Sequence, residues 1–246
     1  LGCDEPNKVW SSDYKGQFRM GDGRLCYPLT ISDNCSRYLL GCWGLTRPTF
    51  EQTRPCFEWV FRHHGLPDAI RTDTGTPFAS VGLGRLSRLS VWFIQLGIKP
   101  ERIEAGCPEQ NGRHERMHRT LKEETASPPK RNMGEQQKAF NRFQCEYNNE
   151  RPHEALGQKP PASVYRLSPK PYPAKLPKVE YDADVVVRYV HNRGCIKWDG
   201  NLIFLSETLI GEYVALTQID NHLWAVSYSF QPLGILDERK MRIQPY

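Results

Sequence analysis

No stretch of the chain approaches the ~20 consecutive apolar residues that a membrane-spanning helix needs, and no signal peptide stands at its start. A membrane partner is therefore not expected. Close cysteine pairs are missing too. The eight cysteines, at positions 3, 26, 35, 42, 56, 107, 145 and 195, are scattered, with no Cys-x-x-Cys among them. Structural zinc sites are built on such pairs, so zinc is not expected despite the adjacent His63 and His64. Cysteines dispersed through apolar runs suit a reducing cytoplasm, where they pack as small hydrophobes. The first residue is Leu and not Met, so the sequence is expected to begin inside a longer product.

Acidic residues are absent from one stretch. Residues 155–178 hold five cations (Lys159, Arg166, Lys170, Lys175 and Lys178) and no Asp or Glu. The formal charge of the whole chain is +5, but residues 179–246 carry −3, which leaves +8 on residues 1–178. Positive charge gathered in the first three-quarters favours a phosphate-rich partner. At 246 residues the chain exceeds one average domain, so two are expected, and 39% hydrophobic with 25% charged residues describes an ordinary packed core.

Ile103 to Glu124 is the stretch that organises the rest. Gly106, Pro108, Asn111 and Gly112 form a loop that cannot be helical throughout, and a helix-forming run follows directly. At 100° per residue, Glu115, His118, Arg119 and Lys122 share one face of that helix, and Met117 and Leu121 form the stripe expected to be buried. A carboxylate followed by cations at i+4 and i+7 is also what an ordinary salt-bridged, solvated face presents. Two distant carboxylates weaken that plain reading. Asp13 lies in the strand-like run Val9 to Phe18, and Asp73 ends the short run Ala69 to Asp73 before Thr74 and Gly75. Strands disfavour Asp, so an acid inside one strand and another at a strand's end are both unusual. Three carboxylates that converge could hold a pair of hard divalent cations, which take oxygen ligands and serve phosphoryl displacement. The plain alternative is that Asp13 caps a bulge and Asp73 anchors a turn.

Four motifs stand in order: Trp10-x-x-Asp13-x-Lys15-Gly16, Arg71-Thr-Asp73-x-Gly75-x-Pro77-Phe78, Gln110-Asn-Gly-Arg-x-Glu115-Arg116, and Tyr147-Asn148-x-x-Arg151-Pro152-His153. Together they resemble the integrase catalytic core of bacterial insertion-sequence transposases, in the DDE transposase and retroviral integrase superfamily. The resemblance covers roughly residues 8 to 165. Thr74 departs from it, standing where the family usually has Asn. The implied triad is Asp13, Asp73 and Glu115, as catalytic residues and as ligands of two Mg²⁺ or Mn²⁺ ions. The implied activity is metal-dependent cleavage at an element end and transfer of the freed 3′ end into target DNA. Implied partners are double-stranded DNA, as element ends and as target, and further copies of the chain, in a dimer or higher oligomer on that DNA. The implied setting is the bacterial cytoplasm at the nucleoid. Specific recognition of the ends would lie in a helix-turn-helix upstream of Leu1. Nothing in the sequence matches the N-terminal His/Cys zinc domain of retroviral integrases. A nuclease of the same fold, and a domesticated protein kept for DNA binding or assembly, are the alternatives.

Asn111, Arg113, Arg119, Lys122, Lys159 and Lys170 are the candidates for DNA contact. For Arg119 and Lys122 the alternative is a helix salt bridge with Glu115 or Glu123, and for Asn111 with Gly112 it is plain helix capping. Tyr147, Asn148 and Arg151 to His153 are read as fixing the turn after the last core helix, with His153 as a catalytic base the lesser alternative.

The expected elements follow from periodicity and breakers. Strands are predicted over 9–18, 24–33 and 37–45, then a helix over 49–64 that either starts near Pro55 with Thr53 as its cap or is kinked at Pro55. A strand over 69–73, a helix over 85–96, a strand over 98–105 and helices over 112–125 and 134–148 complete the first domain, residues 1–156. This order is that of an α/β ribonuclease H-like fold, in which the first and fourth strands are parallel neighbours. Asp13 and Asp73 would then lie side by side where the strand order switches, despite 59 intervening residues. Residues 157–178, with Pro160, Pro161, Pro169, Pro171, Pro173 and Pro177, read as a semi-extended linker, either a spacer alone or a spacer that also tracks DNA. Residues 179–246 read as short strands separated by turn signals such as Asp199-Gly200-Asn201, and a small all-β barrel is their natural closure. The resemblance suggests an SH3-like barrel. Its negative charge makes a protein contact within an oligomer at least as fitting as DNA binding.

Overall fold

β1 (Val9–Tyr14) is buried over its first four residues, as a strand covered on both faces of its sheet must be. The computed structural model describes residues 4–80, 82–102 and 112–246, with the backbone alone for 112–115. The expected 9–18 strand stops at Tyr14, because Gly16 takes a positive φ of 63°. A two-residue β2 (Phe18–Arg19) resumes beyond it. β3 (Leu25–Asp33) and β4 (Leu39–Leu45) continue the meander. β5 (Ala69–Thr72) and β6 (Lys99–Arg102) complete the sheet, in which β5 lies parallel to β1 and to β6. Its six strands run in the order β2, β3, β1, β5, β6, with β4 also paired to β3. The parallel pairing expected of the first and fourth predicted strands is present.

α1 (Phe50–His64) crosses between β4 and β5 and buries Phe57, Val60 and Phe61. Its cap is Thr49 and not Thr53, and Pro55 lies inside the helix. Pro55 has no N–H to offer the Glu51 carbonyl, and both residues lie exposed at the surface. Thr53 instead donates its hydroxyl to the Thr49 carbonyl and meets the Tyr14 hydroxyl at 2.6 Å. α3 (Gly112–Thr125) and α4 (Met133–Asn149) pack beside the sheet, with Met117, Leu121, Phe140 and Phe143 in one core with Leu39 and Cys42.

Asn148, buried near the end of α4, accepts from the Leu39 N–H at 2.8 Å and donates to the Leu39 carbonyl at 2.9 Å. It thereby fixes where β4 begins. Asn148→Ala leaves the buried Leu39 N–H without an acceptor and is expected to cost about 2 kcal/mol. A lower urea midpoint with an unchanged slope would register that loss.

The chain divides into two compact units: residues 1–77 with 98–172, and residues 78–97 with 173–246. The first part of the expected linker is folded onto the first unit. The Leu66 N–H donates to the Lys170 carbonyl at 2.7 Å, the Ser168 N–H to that of His64 at 2.9 Å, and Tyr165 stacks on Tyr38. Gly65 permits this approach. A Cβ there would stand 2.7 Å from the Lys170 carbonyl oxygen, and its φ is 77°.

The second unit holds α2 (Arg88–Gln95), which the sequence order had placed with the first domain. Its Val91 and Ile94 share a core with Val214, Val226, Tyr228 and Leu236. The strands here are β7 (Val186–Tyr189), β8 (Cys195–Trp198), β9 (Asn201–Phe204), β10 (Tyr213–Asp220), β11 (Leu223–Tyr228), β12 (Gln231–Asp237) and β13 (Arg242–Gln244). Five form an antiparallel sheet in the order β13, β12, β11, β10, β7, and β8 pairs with β9. β13 is only three residues long, Arg-Ile-Gln, too short for its single buried Ile243 to establish a strand period in the sequence. Among the described residues no helix is long and apolar enough to cross a membrane.

Candidate active site

Parallel pairing of β1 with β5 sets Ser12 opposite Thr72. Asp13 and Asp73 are the next residues along each strand's path, so two acids with 59 residues between them stand at the same level of the sheet. Asp13 is still within β1 and pairs with Thr30 of β3 on its other side. Asp73 lies just past β5, where its Oδ1 accepts the Gly75 N–H at 3.1 Å. The turn-anchoring role is thus present alongside any other. Gly75 is close by necessity, since a Cβ there would come 3.0 Å from the Asp73 Oδ2. Burial pushes the Asp73 carboxyl above the usual carboxylate range, and the Gly75 N–H only partly opposes this.

α3 is registered against these strands by His118. Its Nε2 meets the Thr30 hydroxyl at 2.6 Å, and its Nδ1 faces the Asp13 Oδ2 at 3.6 Å. His118 is 1% exposed. Sequence periodicity grouped it with the solvated face, whereas the helix buries Met117, His118, Leu121 and Thr125 together. Its spacing from Glu115 was the available signal, because i and i+3 share a side of a helix.

Glu115 lies on α3 one turn before His118, and its side chain lies outside the described residues, as do the Arg113 side chain and all of Asn111. Among the described residues no three His, Cys, Asp or Glu side chains gather as a metal would require. Lys122 lines a cavity of about 380 Å³ together with Asp13, Lys15, His118 and Phe140. Arg119 is exposed on α3, and Lys159 is exposed after the last core helix. Lys170 is engaged differently: with Lys8, it pairs with Asp68. In the fourth motif, Asn148 holds β4, Arg151 pairs with Glu124, and the His153 N–H donates to the Lys159 carbonyl. These contacts fix the turn that follows α4.

Two family models, both described as integrase core domain, match residues 4–108 and 96–161. A protein of insertion element IS407 from Burkholderia multivorans is 26% identical over 164 residues, covering 64% of this chain and 54% of that protein. The chain thus spans about half the length of that curated relative. The HTLV-2 integrase catalytic core domain, solved in complex with magnesium, aligns with a TM-score of 0.50 at 17% identity, over 66% of this chain and 98% of that one. The simian T-cell lymphotropic virus intasome gives 0.54 at 16% identity, over 96% of this chain and 78% of that one. These likenesses establish the ribonuclease H-like fold of the first unit. With the ordered motifs and the strand topology, they make this chain a member of the DDE integrase family, carrying an integrase core of the kind that insertion elements encode.

Proposed function

We propose that the chain is the catalytic part of a DNA transposase, cutting at element ends and joining the freed 3′ ends to target DNA. The observation that carries this reading is the β1–β5 register, which brings Asp13 and Asp73 to one level, with α3 docked on Asp13 through His118. The residues suit hard divalent cations. Two carboxylates at adjacent strand ends are oxygen donors, and the partly desolvated Asp73 would be relieved by a nearby positive charge. Asp13, Asp73 and Glu115 would hold Mg²⁺ or Mn²⁺, which when bound supplies Lewis-acid polarisation of the phosphoryl group and a lowered pKa for water. Magnesium in the HTLV-2 core supports that assignment.

The chain's own residues divide the remaining work. His118 positions Asp13. Lys15 and Lys122 border the cavity beside Asp13 and suit strand phosphates, with Arg119 exposed on the same helix. Asn111, Arg113 and Lys159 complete the proposed DNA contacts. Lys170 can join them only by leaving Asp68. The second unit, closed as an SH3-like barrel, serves contacts between copies in a dimer or larger assembly on DNA; the intasome likeness supports that use.

The test is a joining assay with Mg²⁺, in which a 3′-ended oligonucleotide carrying an element end is inserted into plasmid. Cleavage without joining would favour a nuclease of this fold, and DNA binding with neither would favour an assembly protein. In the same assay, His118→Ala is expected to raise the Mg²⁺ concentration for half-maximal joining by about 10- to 100-fold, the usual cost of losing a group that orients a ligand. His118→Gln, which keeps a donor toward Thr30, should recover part of that loss.

A further inference from the structure

A second cavity, of about 590 Å³, shares no lining residue with the one beside Asp13. Arg37 enters it from the β3–β4 turn, Arg116 and Thr120 from α3, and Arg151, His153 and Glu154 from the segment after α4. Three arginines from three separate elements thus line one space, with the Arg37 guanidinium also donating to the Asn34 carbonyl. Two carboxylates oppose them: Glu154 in the wall, and Glu124, which pairs with Arg151. Positive charge remains in excess.

The wall is held in place. The Arg151 guanidinium lies over the rings of Phe143 and Tyr147, at 5.7 and 5.9 Å from their centroids. The His153 ring stands edge-on to Tyr147 at 4.8 Å. His153 Nε2 is buried and has no hydrogen-bond partner in the protein. A buried polar nitrogen without a partner costs free energy, and native structures rarely leave one so. Burial, then the charges of Arg151 and Arg37, hold the His153 pKa below its usual value, which favours the neutral ring.

We infer that this cavity is a phosphate-binding site, in which Arg116 and Arg151 donate to a tetrahedral oxyanion beside the His153 ring. Guanidinium groups match such oxyanions with paired N–H donors. The phosphate can belong to a DNA strand or be free in solution. With a strand as the source, the inference rests on the transposase reading and extends it, adding a backbone grip separate from the acid cluster.

Two measurements on the full chain decide it. In the first, inorganic phosphate is titrated while the His153 ring resonances are followed by NMR. The expected result is a saturable shift whose affinity falls at least about tenfold in Arg116→Gln, one charge-assisted contact being worth ~1.5–3 kcal/mol. Arg142→Gln, which removes an exposed charge from α4, should leave the titration unchanged. Arg116 is exposed, so its loss leaves the core intact, and an unaltered melting curve would verify this. In the second, duplex DNA binding is measured against salt. If a strand phosphate occupies the site, Arg116→Gln lowers the slope of log affinity on log salt by about one. If phosphate still titrates His153 but the slope stays the same, the ligand is free phosphate. Absence of a saturable shift, or equal affinity in Arg116→Gln and Arg142→Gln, overturns the inference. Failure of the native chain to join DNA would count against the transposase reading and leave the phosphate titration standing.

Discussion

Asp73→Asn is expected to lower DNA joining by about a thousandfold or more, equivalent to ~4 kcal/mol of lost transition-state stabilisation, while raising the melting temperature of the metal-free protein. The two effects have one cause. Asp73 is a half-buried carboxylate at the level of Asp13, and its burial disfavours the charged form. A neutral amide of the same shape removes that penalty and with it the ability to hold a divalent cation. The pH dependence follows. A carboxyl whose pKa is higher folded than unfolded binds its proton more tightly in the fold. The stability it contributes is therefore greatest below its unfolded pKa and declines as pH rises through the folded one. Melting curves of the native chain and of Asp73→Asn, taken across that range without metal, should diverge as pH rises, with the variant the more stable. A variant that melts lower and still joins DNA would contradict both the catalytic and the electrostatic assignment. Asp13→Asn should abolish joining to a similar extent, since the same register brings it to the site.

Trp10→Ala is expected to cost about 3–5 kcal/mol, the usual range for deleting a buried aromatic side chain. Trp10 is fully buried, stacks against Phe61 of α1 at 6.1 Å and donates its Nε1–H to Asn7 Oδ1 at 3.1 Å. Collapse around the gap would leave that Asn7 oxygen unsatisfied as well. The consequence reaches the site, because Trp10 is three residues before Asp13 on the strand whose register sets the acid's level. Loss of the cooperative urea transition, or a midpoint lowered by the equivalent of that cost, would be the measured outcome. Trp10→Phe keeps most of the volume and should retain both fold and joining, with a cost nearer to that of the lost hydrogen bond.

Much of the first unit was readable from local pattern. The strand-like run around Asp13, the turn residues that follow Asp73 and the apolar stripe of α1 all depend on neighbours within a few residues, and each element appears close to its expected place. The parallel pairing of β1 with β5 is what the ribonuclease H-like fold implies, whose element order the chain matches. His118 shows where such reading ends. Periodicity assigns a residue to a face of α3, but the rotation of that helix against the sheet decides which boundary residue is buried, and Thr30 and Asp13 settle it. Proline density makes residues 157–178 read as linker, yet residues 157–172 belong to the first unit. Their remaining donors and acceptors find partners in residues 64–66, a pairing across some hundred positions that no local window contains.

The sequence by itself determined the element types, the two strands that carry Asp13 and Asp73, and the order of the motifs, since each is written in spacing and side-chain chemistry along a short segment. Only the tertiary structure decided that His118 is buried against Asp13, that α2 shares its core with the C-terminal strands, and that Arg37, Arg116 and Arg151 line one cavity. Those are contacts between remote segments, and packing selects among the many partners that local preference leaves equivalent.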